Sequence, residues 1–273
     1  MRLFILIFFF SFSCFSQEEF SLDQIKSYPF PNELTGSSDA SRITWAFDEE
    51  GKRNIYVAEG PIFNARRLTS YMDDTGQELS SVSISSDGNW IVYIRGGDFG
   101  SNWDDELSVN PTFNPIPPKV QIWSIAFSGG DPIMIDEGVN PVISPLSDEI
   151  AYVKDGQIWI SNIDGKGDPK KIFHSRGRNG SHSWSPDGSK IAFVSYRGDR
   201  SFIGIYKDEN SNIKWVNPSF DRDTSPRWSP DGNEVVYVRQ PGAAGKPSSI
   251  LGGKHNPWKI VKTDINSMES KEL

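Results

Sequence analysis

Residues 184–194 read WSPDGSKIAFV, and most of the chain is built from variants of this pattern. Trp184 ends an apolar approach, and residues 185–188 have the composition of a tight turn. Proline presets φ, serine and aspartate bond nearby backbone N–H groups, and glycine adopts the left-handed conformation. The strand at residues 190–194 is apolar on both faces, so both faces must be covered. The stretch therefore predicts a hairpin that gives an inner strand to a stack of sheets.

The pattern recurs along the chain with partial losses. The copies are WSPDGNEVVYV at 228–238, ISSDGNWIVYI at 84–94 and ISPLSDEIAYV at 143–153. Aligned on their serines, the copies fall at Ser85, Ser144, Ser185 and Ser229, with spacings of 59, 41 and 44 residues. A degenerate fifth copy, ITWAFDEEGKRNIYVA, occupies residues 43–58.

A second strand pair follows each hairpin, as in QIWSIAFSGGDPIMI from Gln121. Four short strands that repeat every 40 to 45 residues or so, with one turn phrase per unit, are the sequence mark of a β-propeller blade. The sequence therefore predicts an all-β chain, a β-propeller of four-stranded antiparallel blades. About five blades are present, which suggests an incomplete ring.

The chain divides into three predicted parts. Residues 1–16, with an apolar run after Arg2, are interpreted as a cleaved secretory signal peptide; lipidation at Cys14 is the alternative. Residues 17–42 form a lead-in segment, and residues 43–273 form the propeller, interrupted by an insertion at 96–119. We expect a periplasmic or secreted protein without a membrane span.

The charge balance limits the kinds of partner that the protein can bind. The chain has 28 basic and 36 acidic residues and a pI near 5.0, which argues against a nucleic-acid partner because phosphate binding needs a basic face. A series of arginines nevertheless occupies the turns of the later repeats: Arg176, Arg178, Arg197, Arg200 and Arg222. We interpret them as solvated blade edges, while a positive rim that orients a peptide carboxylate is the alternative.

The insertion carries Trp103 beside three successive acids, Asp104, Asp105 and Glu106. These acids would suit a substrate ammonium group, since a carboxylate gains a charge-assisted hydrogen bond from a protonated amine; a solvated loop tip is the alternative. Residues 162–168, NIDGKGD, resemble a calcium loop but fall where a hairpin turn is required. No metal and no cofactor are therefore predicted.

Motifs for covalent catalysis are absent from the sequence. It contains no G-x-S-x-G elbow, no H-E-x-x-H and no phosphate-binding glycine loop. His182, directly before the Ser183–Trp184 pair, is interpreted as a rim residue of the fourth blade. The chain is predicted to be inactive as an enzyme by itself.

Three phrases carry a family resemblance: RGDRSFIGIY at 197–206, DRDTSPRWSPDG at 221–232 and SILGGKHNPW at 249–258. With the repeats, they resemble the N-terminal propeller of bacterial prolyl oligopeptidase family serine peptidases, in the dipeptidyl peptidase IV-like branch. The resemblance implies a noncatalytic propeller that gates substrates for an α/β-hydrolase domain, which carries the catalytic triad. It also implies that Asp104, Asp105 and Glu106 bind the free N-terminus of a peptide.

The sequence departs from that family in its extent, since it has five units whereas the propellers of the family usually close with about seven or eight. It stops at Leu273 without a hydrolase domain, so we interpret it as a propeller truncated before the catalytic domain, with the peptide substrate reached through that missing domain. A homo-oligomer of the full-length enzyme is compatible with this interpretation. The alternative is a stand-alone periplasmic propeller that acts as a protein interaction scaffold, like the Tol-system propeller; a lyase or glycan-binding propeller is a third hypothesis.

Overall fold

A computed structural model describes residues 21–96, 119–242 and 258–273. Within these ranges a short helix, α1 (Leu22–Ser27), precedes twenty strands that form five four-stranded antiparallel units. A single parallel bridge between Ser201 and Arg222 joins the last two units into one eight-stranded sheet. Sheet 1 contains β1 (Phe30–Gly36), β2 (Arg42–Glu49), β3 (Lys52–Glu59) and β4 (Arg66–Arg67). Sheet 2 contains β5 (Leu79–Ile84), β6 (Trp90–Arg95), β7 (Gln121–Ala126) and β8 (Ile133–Glu137). Sheet 3 contains β9 (Val139–Ile143), β10 (Glu149–Lys154), β11 (Gln157–Asn162) and β12 (Lys170–Lys171). Sheet 4 contains β13 (Arg178–Trp184), β14 (Ile191–Arg197), β15 (Arg200–Tyr206) and β16 (Lys214–Val216). Sheet 5 contains β17 (Arg222–Trp228), β18 (Glu234–Gln240), β19 (Lys259–Asp264) and β20 (Ser270–Glu272).

The five sheets are stacked face to face in chain order. The first strands of consecutive sheets pack beside one another, so β1, β5, β9, β13 and β17 form the inner edge of a fan. A separate apolar cluster fills each of the four interfaces, as Ile55 with Ile91 does between sheets 1 and 2 and Val194 with Tyr237 between sheets 4 and 5. This arrangement confirms the predicted β-propeller.

Burial shows that the ring is open. In the middle sheets the second strands are buried on both faces, as in Ile91–Ile94 of β6. In the end sheets burial alternates along the strand. Trp45 of β2 and Val236 of β18 are half-buried beside fully buried neighbours. Each end sheet therefore has only one covered face, and within the described ranges sheets 1 and 5 do not pack together as neighbouring sheets do.

Five equivalent turns connect the first and second strands and form one end of the fan, here called the turn end. In each turn the leading serine bonds the residue five positions later, as Ser185 N does to Lys190 O at 2.8 Å. The fourth turn residue has a positive φ in every copy: Ala40, Gly88, Ser147, Gly188 and Gly232. The first of these turns starts at Ser37, whereas the degenerate copy at 43–58 forms the β2–β3 hairpin. Sheet 1 thus takes its first strand from residues 30–36, within the segment predicted as a lead-in.

Hydrogen bonds from side chains stabilise these turns. The hydroxyls of Ser37 and Ser229 donate to Asp39 and Asp231, and these bonds lower the pKa of each carboxyl to about 2. The stabilisation is present above the ordinary aspartate pKa and is lost as the pH falls through the lowered value.

Tryptophans of the repeat bond successive sheets together. Trp184 Nε1 donates to Val142 O at 3.1 Å, and Trp228 Nε1 donates to Ser183 O at 3.0 Å. Each bond joins the end of a first strand to the first strand of the preceding sheet. The tryptophan of the turn phrase therefore helps to fix the positions of sheets 4 and 5 on the sheets before them.

Candidate functional site

A β-bulge interrupts every first strand at the same position along the inner edge of the fan. The bulged residue has a positive φ in each case and is polar in each case: Glu33, Ser81, Asn140, Ser181 and Ser225. A bulged residue makes no regular hydrogen bonds to the neighbouring strand, and its side chain points in a different direction from that in a regular strand. The first two bulges contact each other, since the Glu33 carboxylate accepts a hydrogen bond from the N–H of Val82, which follows Ser81, at 3.1 Å. The inner edge is therefore a row of polar, non-glycine bulges.

The five arginines singled out in the sequence gather at the end of the fan opposite to the turns, here called the arginine end. Strand direction places them there. Arg178 and Arg222 are the first residues of β13 and β17, and Arg176 lies two residues before β13. Arg197 is the last residue of β14, and Arg200 is the first residue of β15. Antiparallel neighbours begin and end at alternate edges, so all five belong to the same end of sheets 4 and 5.

Arg197 is one of three half-buried members of this group, with Arg200 and Arg222. Its guanidinium carbon lies 4.8 Å from the Trp215 ring centroid and 5.1 Å from that of Phe202. Nε donates to Ser195 Oγ at 3.2 Å, and Nη2 makes a long contact of 3.5 Å to Ser175 Oγ. Desolvation, with a smaller effect from the positive charge of Arg176, lowers the pKa of Arg197. Arg197 is thus held by aromatic rings and hydroxyl groups, which leaves its charge open to an anion.

The strand registers explain why Arg197 lacks an acidic neighbour. In sheet 5, Asp223 of β17 pairs with Arg239 of β18, and the two form an ion pair at 2.7 Å. At the matching register of sheet 4, Asn179 pairs with Ser195. Sheet 4 therefore has a neutral pair where sheet 5 has an ion pair. Across the parts of the chain that the structure describes, no carboxylate lies within ion-pair distance of Arg197.

His182 is inside the fold and not at a rim, so the interpretation of this histidine was wrong. The side chain is 6% exposed, and its Nε2 lies 2.9 Å from Ala151 O of the preceding sheet. Burial lowers its pKa to about 4 despite the hydrogen bond. His182 is neutral at pH 7 and contributes to packing, because the side chain points into the interface between sheets 3 and 4.

Several predicted features fall outside the described residues. Asp104, Asp105 and Glu106 of the insertion do so, as does the signal peptide at residues 1–16. Residues 162–168 lie at the β11–β12 connection, as the turn interpretation requires. Within ranges 21–96, 119–242 and 258–273, no cluster of three histidine, cysteine or acidic side chains is suited to a metal ion. No helix in those ranges has the length and apolar character needed to cross a membrane.

Comparison with known proteins agrees with the fold. Residues 124–248 match the family profile described as TolB beta propeller domain. The Tol-Pal system protein TolB of Bordetella avium (strain 197N) is 27% identical over 132 residues, which are 43% of this chain and 30% of that protein. The matched region thus spans less than a third of the length of this curated relative.

Solved structures of TolB proteins and of peptidases are among those that share the fold. A putative TolB from Agrobacterium tumefaciens has a TM-score of 0.52 and 19% identity, over 89% of this chain and 80% of that one. A puromycin-hydrolyzing peptidase of Mycobacterium tuberculosis has a TM-score of 0.58 and 14% identity, over 90% of this chain and 37% of that one. The chain is therefore similar to propellers of TolB and of peptidases alike.

Proposed function

We propose that this chain is a noncatalytic β-propeller that binds polypeptide along its inner edge and takes an acidic group of that polypeptide at the arginine end. Arg197 is the observation that carries the proposal, because a half-buried cation without a counter-charge is costly unless an anion joins it. A planar guanidinium also matches a carboxylate, to which it can donate two parallel hydrogen bonds. The polar bulges beside it offer hydrogen-bonding groups to an extended chain.

The role of an interaction scaffold in the periplasm or outside the cell is one form of this function. The profile match over residues 124–248 and the similarity to the Tol-Pal protein of Bordetella avium support it. In this form the bound polypeptide is an acidic segment of a partner protein. Binding is the whole activity, so no bond in the partner is cleaved.

Gating of substrates for a secreted serine peptidase is the second form. The three phrases of the peptidase resemblance and the fold similarity to the puromycin-hydrolyzing peptidase support it. The peptide then enters through the propeller to a hydrolase domain, and Asp104, Asp105 and Glu106 bind its amino terminus. The full-length enzyme would be the active species, alone or as a homo-oligomer.

Replacing Arg197 with glutamine is expected to weaken the binding of an acidic peptide about tenfold or more, because a hydrogen bond to a charged group contributes about 1.5–3 kcal/mol. The measurement is fluorescence anisotropy of the full chain with a labelled glutamate-rich peptide. The same peptide with glutamine in place of glutamate should bind weakly to both proteins.

Lys166→Gln is the matched control, since it removes one exposed positive charge from the outer turn of sheet 3. Long-range attraction by the whole protein cannot explain binding of an acidic peptide, because the chain has a formal net charge of -8 and repels it. Equal losses in the Arg197 and Lys166 variants, or equal binding of the glutamine peptide, would reject the proposed site.

The peptidase form makes a separate prediction for the complete enzyme. Replacing Asp105 and Glu106 with alanine should raise KM for peptides with a free amino terminus much more than for N-blocked peptides, because only the free amine pairs with these carboxylates. Steady-state kinetics on matched free and acetylated peptides provides the measurement. Equal changes in KM for the two substrates would exclude recognition of the ammonium group.

A further inference from the structure

A groove lies between sheets 1 and 2 at the turn end, away from Arg197. It consists of two adjoining cavities of about 420 and 490 Å³, which share Glu59, Arg66 and Phe127 in their walls. The first cavity is mainly apolar and is bounded by Val57 and Ile62. The second continues past Arg66 toward Arg42, Asn89 and Ser128, whose polar groups stand among apolar neighbours such as Ala126 and Phe127.

The two arginines of the groove differ in how their charge is balanced. Arg42 donates to Glu59 at 2.8 Å and to Asn89 Oδ1 at 2.9 Å, and its guanidinium lies 4.5 Å from the Phe127 ring centroid. Arg66 donates to Phe127 O and lies 5.7 Å from the same ring. In the described part of the chain no carboxylate pairs with Arg66. The groove therefore has one net positive charge, on Arg66.

Two further features show that the groove is open to a ligand. Gly129 and Gly130 of the β7–β8 connection leave space beside it, since a Cβ atom at Gly130 would meet nothing within 4 Å and one at Gly129 would meet only Arg66 at 3.8 Å. The rim carries Ile62, which is 76% exposed. A largely exposed isoleucine beside an apolar cavity is a favourable contact for an apolar group of a ligand.

We propose that this groove binds the carboxyl terminus of a polypeptide whose last side chain is apolar. The last side chain occupies the apolar cavity between Val57 and Ile62, and Arg66 binds the terminal carboxylate. The preceding residues lie along the second cavity, where Asn89 and Ser128 offer hydrogen bonds to the peptide backbone.

The charge of the groove selects a carboxylate over a phosphate. A single uncompensated guanidinium matches one negative charge, whereas a phosphate group carries nearly two. Arg67 does not supply a second cation to the groove. In the β3–β4 ladder Arg66 lies opposite Val57 and Arg67 lies opposite Tyr56, and successive side chains of a strand point to opposite faces of the sheet. The open second cavity favours a polypeptide over a free apolar acid, because a chain can continue through it.

Isothermal titration calorimetry of the full chain tests the site with four probes: a pentapeptide ending in leucine with a free carboxylate, the same peptide as its C-terminal amide, 4-phenylbutyrate and inorganic phosphate. We expect the free-acid peptide to bind at least tenfold more tightly than the other three probes. Arg66→Gln should lower its affinity at least tenfold, while Arg67→Gln, which removes an equal charge from the opposite face, should leave it unchanged.

A second variant keeps the test independent of any folding defect in Arg66→Gln. Ala65 lines the groove on an exposed loop, and Ala65→Glu would place a carboxylate beside Arg66 that competes with the ligand. Both variants should lose binding of the free-acid peptide, and Arg197→Gln should retain it. Equal binding of acid and amide, tighter binding of phosphate or phenylbutyrate, or equal losses in the Arg66 and Arg67 variants would overturn the proposal.

Discussion

Replacing Arg239 with alanine is expected to lower the free energy of unfolding by about 3–5 kcal/mol, the usual cost of leaving one member of a buried ion pair alone. Asp223 is 0% exposed and Arg239 is 12% exposed. The guanidinium makes two bonds to the carboxylate, at 2.7 and 2.9 Å, and a third to Asn217 O at 2.6 Å. The substitution leaves a carboxylate in the interior of sheet 5 with no counter-charge.

The loss in the free energy of unfolding of Arg239→Ala should depend on pH. Burial raises the pKa of Asp223 above its ordinary value even with Arg239 present. Without the arginine the pKa should rise further. An acid with a raised pKa in the folded state binds its proton more tightly when folded, so lowering the pH through that pKa favours the folded protein. The difference between wild type and Arg239→Ala should therefore narrow as the pH is lowered toward the raised pKa of Asp223.

Urea denaturation monitored by tryptophan fluorescence measures both effects. Lys259→Ala is the matched control. Lys259 lies opposite Arg239 in the β18–β19 ladder and forms an exposed ion pair with Glu272. This control should cost less than about 1 kcal/mol. The double variant Asp223→Leu/Arg239→Met should be more stable than Arg239→Ala. A loss in Arg239→Ala no larger than in the lysine variant would refute the interpretation.

Replacing Phe193 with alanine should have a comparable effect, a loss of about 3–5 kcal/mol, since it empties a large site in a packed core. Phe193 is fully buried between sheets 3 and 4, and its ring centroid lies 4.5 Å from that of Phe173 and 5.9 Å from that of Trp215. Trp215 also lies against Arg197. The same aromatic cluster therefore supports both the core and the candidate site.

Gly204 provides an internal check on this prediction. A Cβ atom at Gly204 would lie 2.5 Å from Cζ of Phe193, so glycine is what makes room for the ring. Gly204→Ala should cost about 1–3 kcal/mol in the wild-type protein through overpacking, and much less when Phe193 is already alanine. A double-variant cycle by urea denaturation measures the coupling. Additive losses would show that the ring and Gly204 are not in contact as described.

Much of the fold could be predicted because its repeating unit is stabilised by local contacts. The turn phrase specifies its own hydrogen bonds within six residues, as Ser185, Asp187 and Lys190 illustrate. The first copy was placed too late, at residues 43–58, because the turn from Ser37 has lost both proline and glycine while the β2–β3 hairpin retains a glycine. The finer family assignment to peptidases remains a proposal beside the TolB-type match.

The candidate sites were less accessible to sequence reasoning. The arginine series was recognised, and strand direction alone places it at one end of the fan. The isolation of Arg197 was missed, although one signal existed. Its repeat has the neutral pair Asn179 and Ser195 where the next repeat has Asp223 and Arg239. His182 was misplaced, because nothing local shows that a side chain beside a turn phrase points into the neighbouring sheet.

The sequence by itself determined the blade, its turn and the number of repeats, since these depend on neighbours within a few residues. Only the tertiary structure decided which faces of sheets 1 and 5 stay uncovered, that Arg66 and Arg197 have no carboxylate partner among the described residues, and where a groove opens. Arg42, Glu59, Arg66, Asn89 and Phe127 meet in that groove from positions far apart in the chain. Such contacts follow from the stacking of whole sheets, which no local pattern of residues encodes.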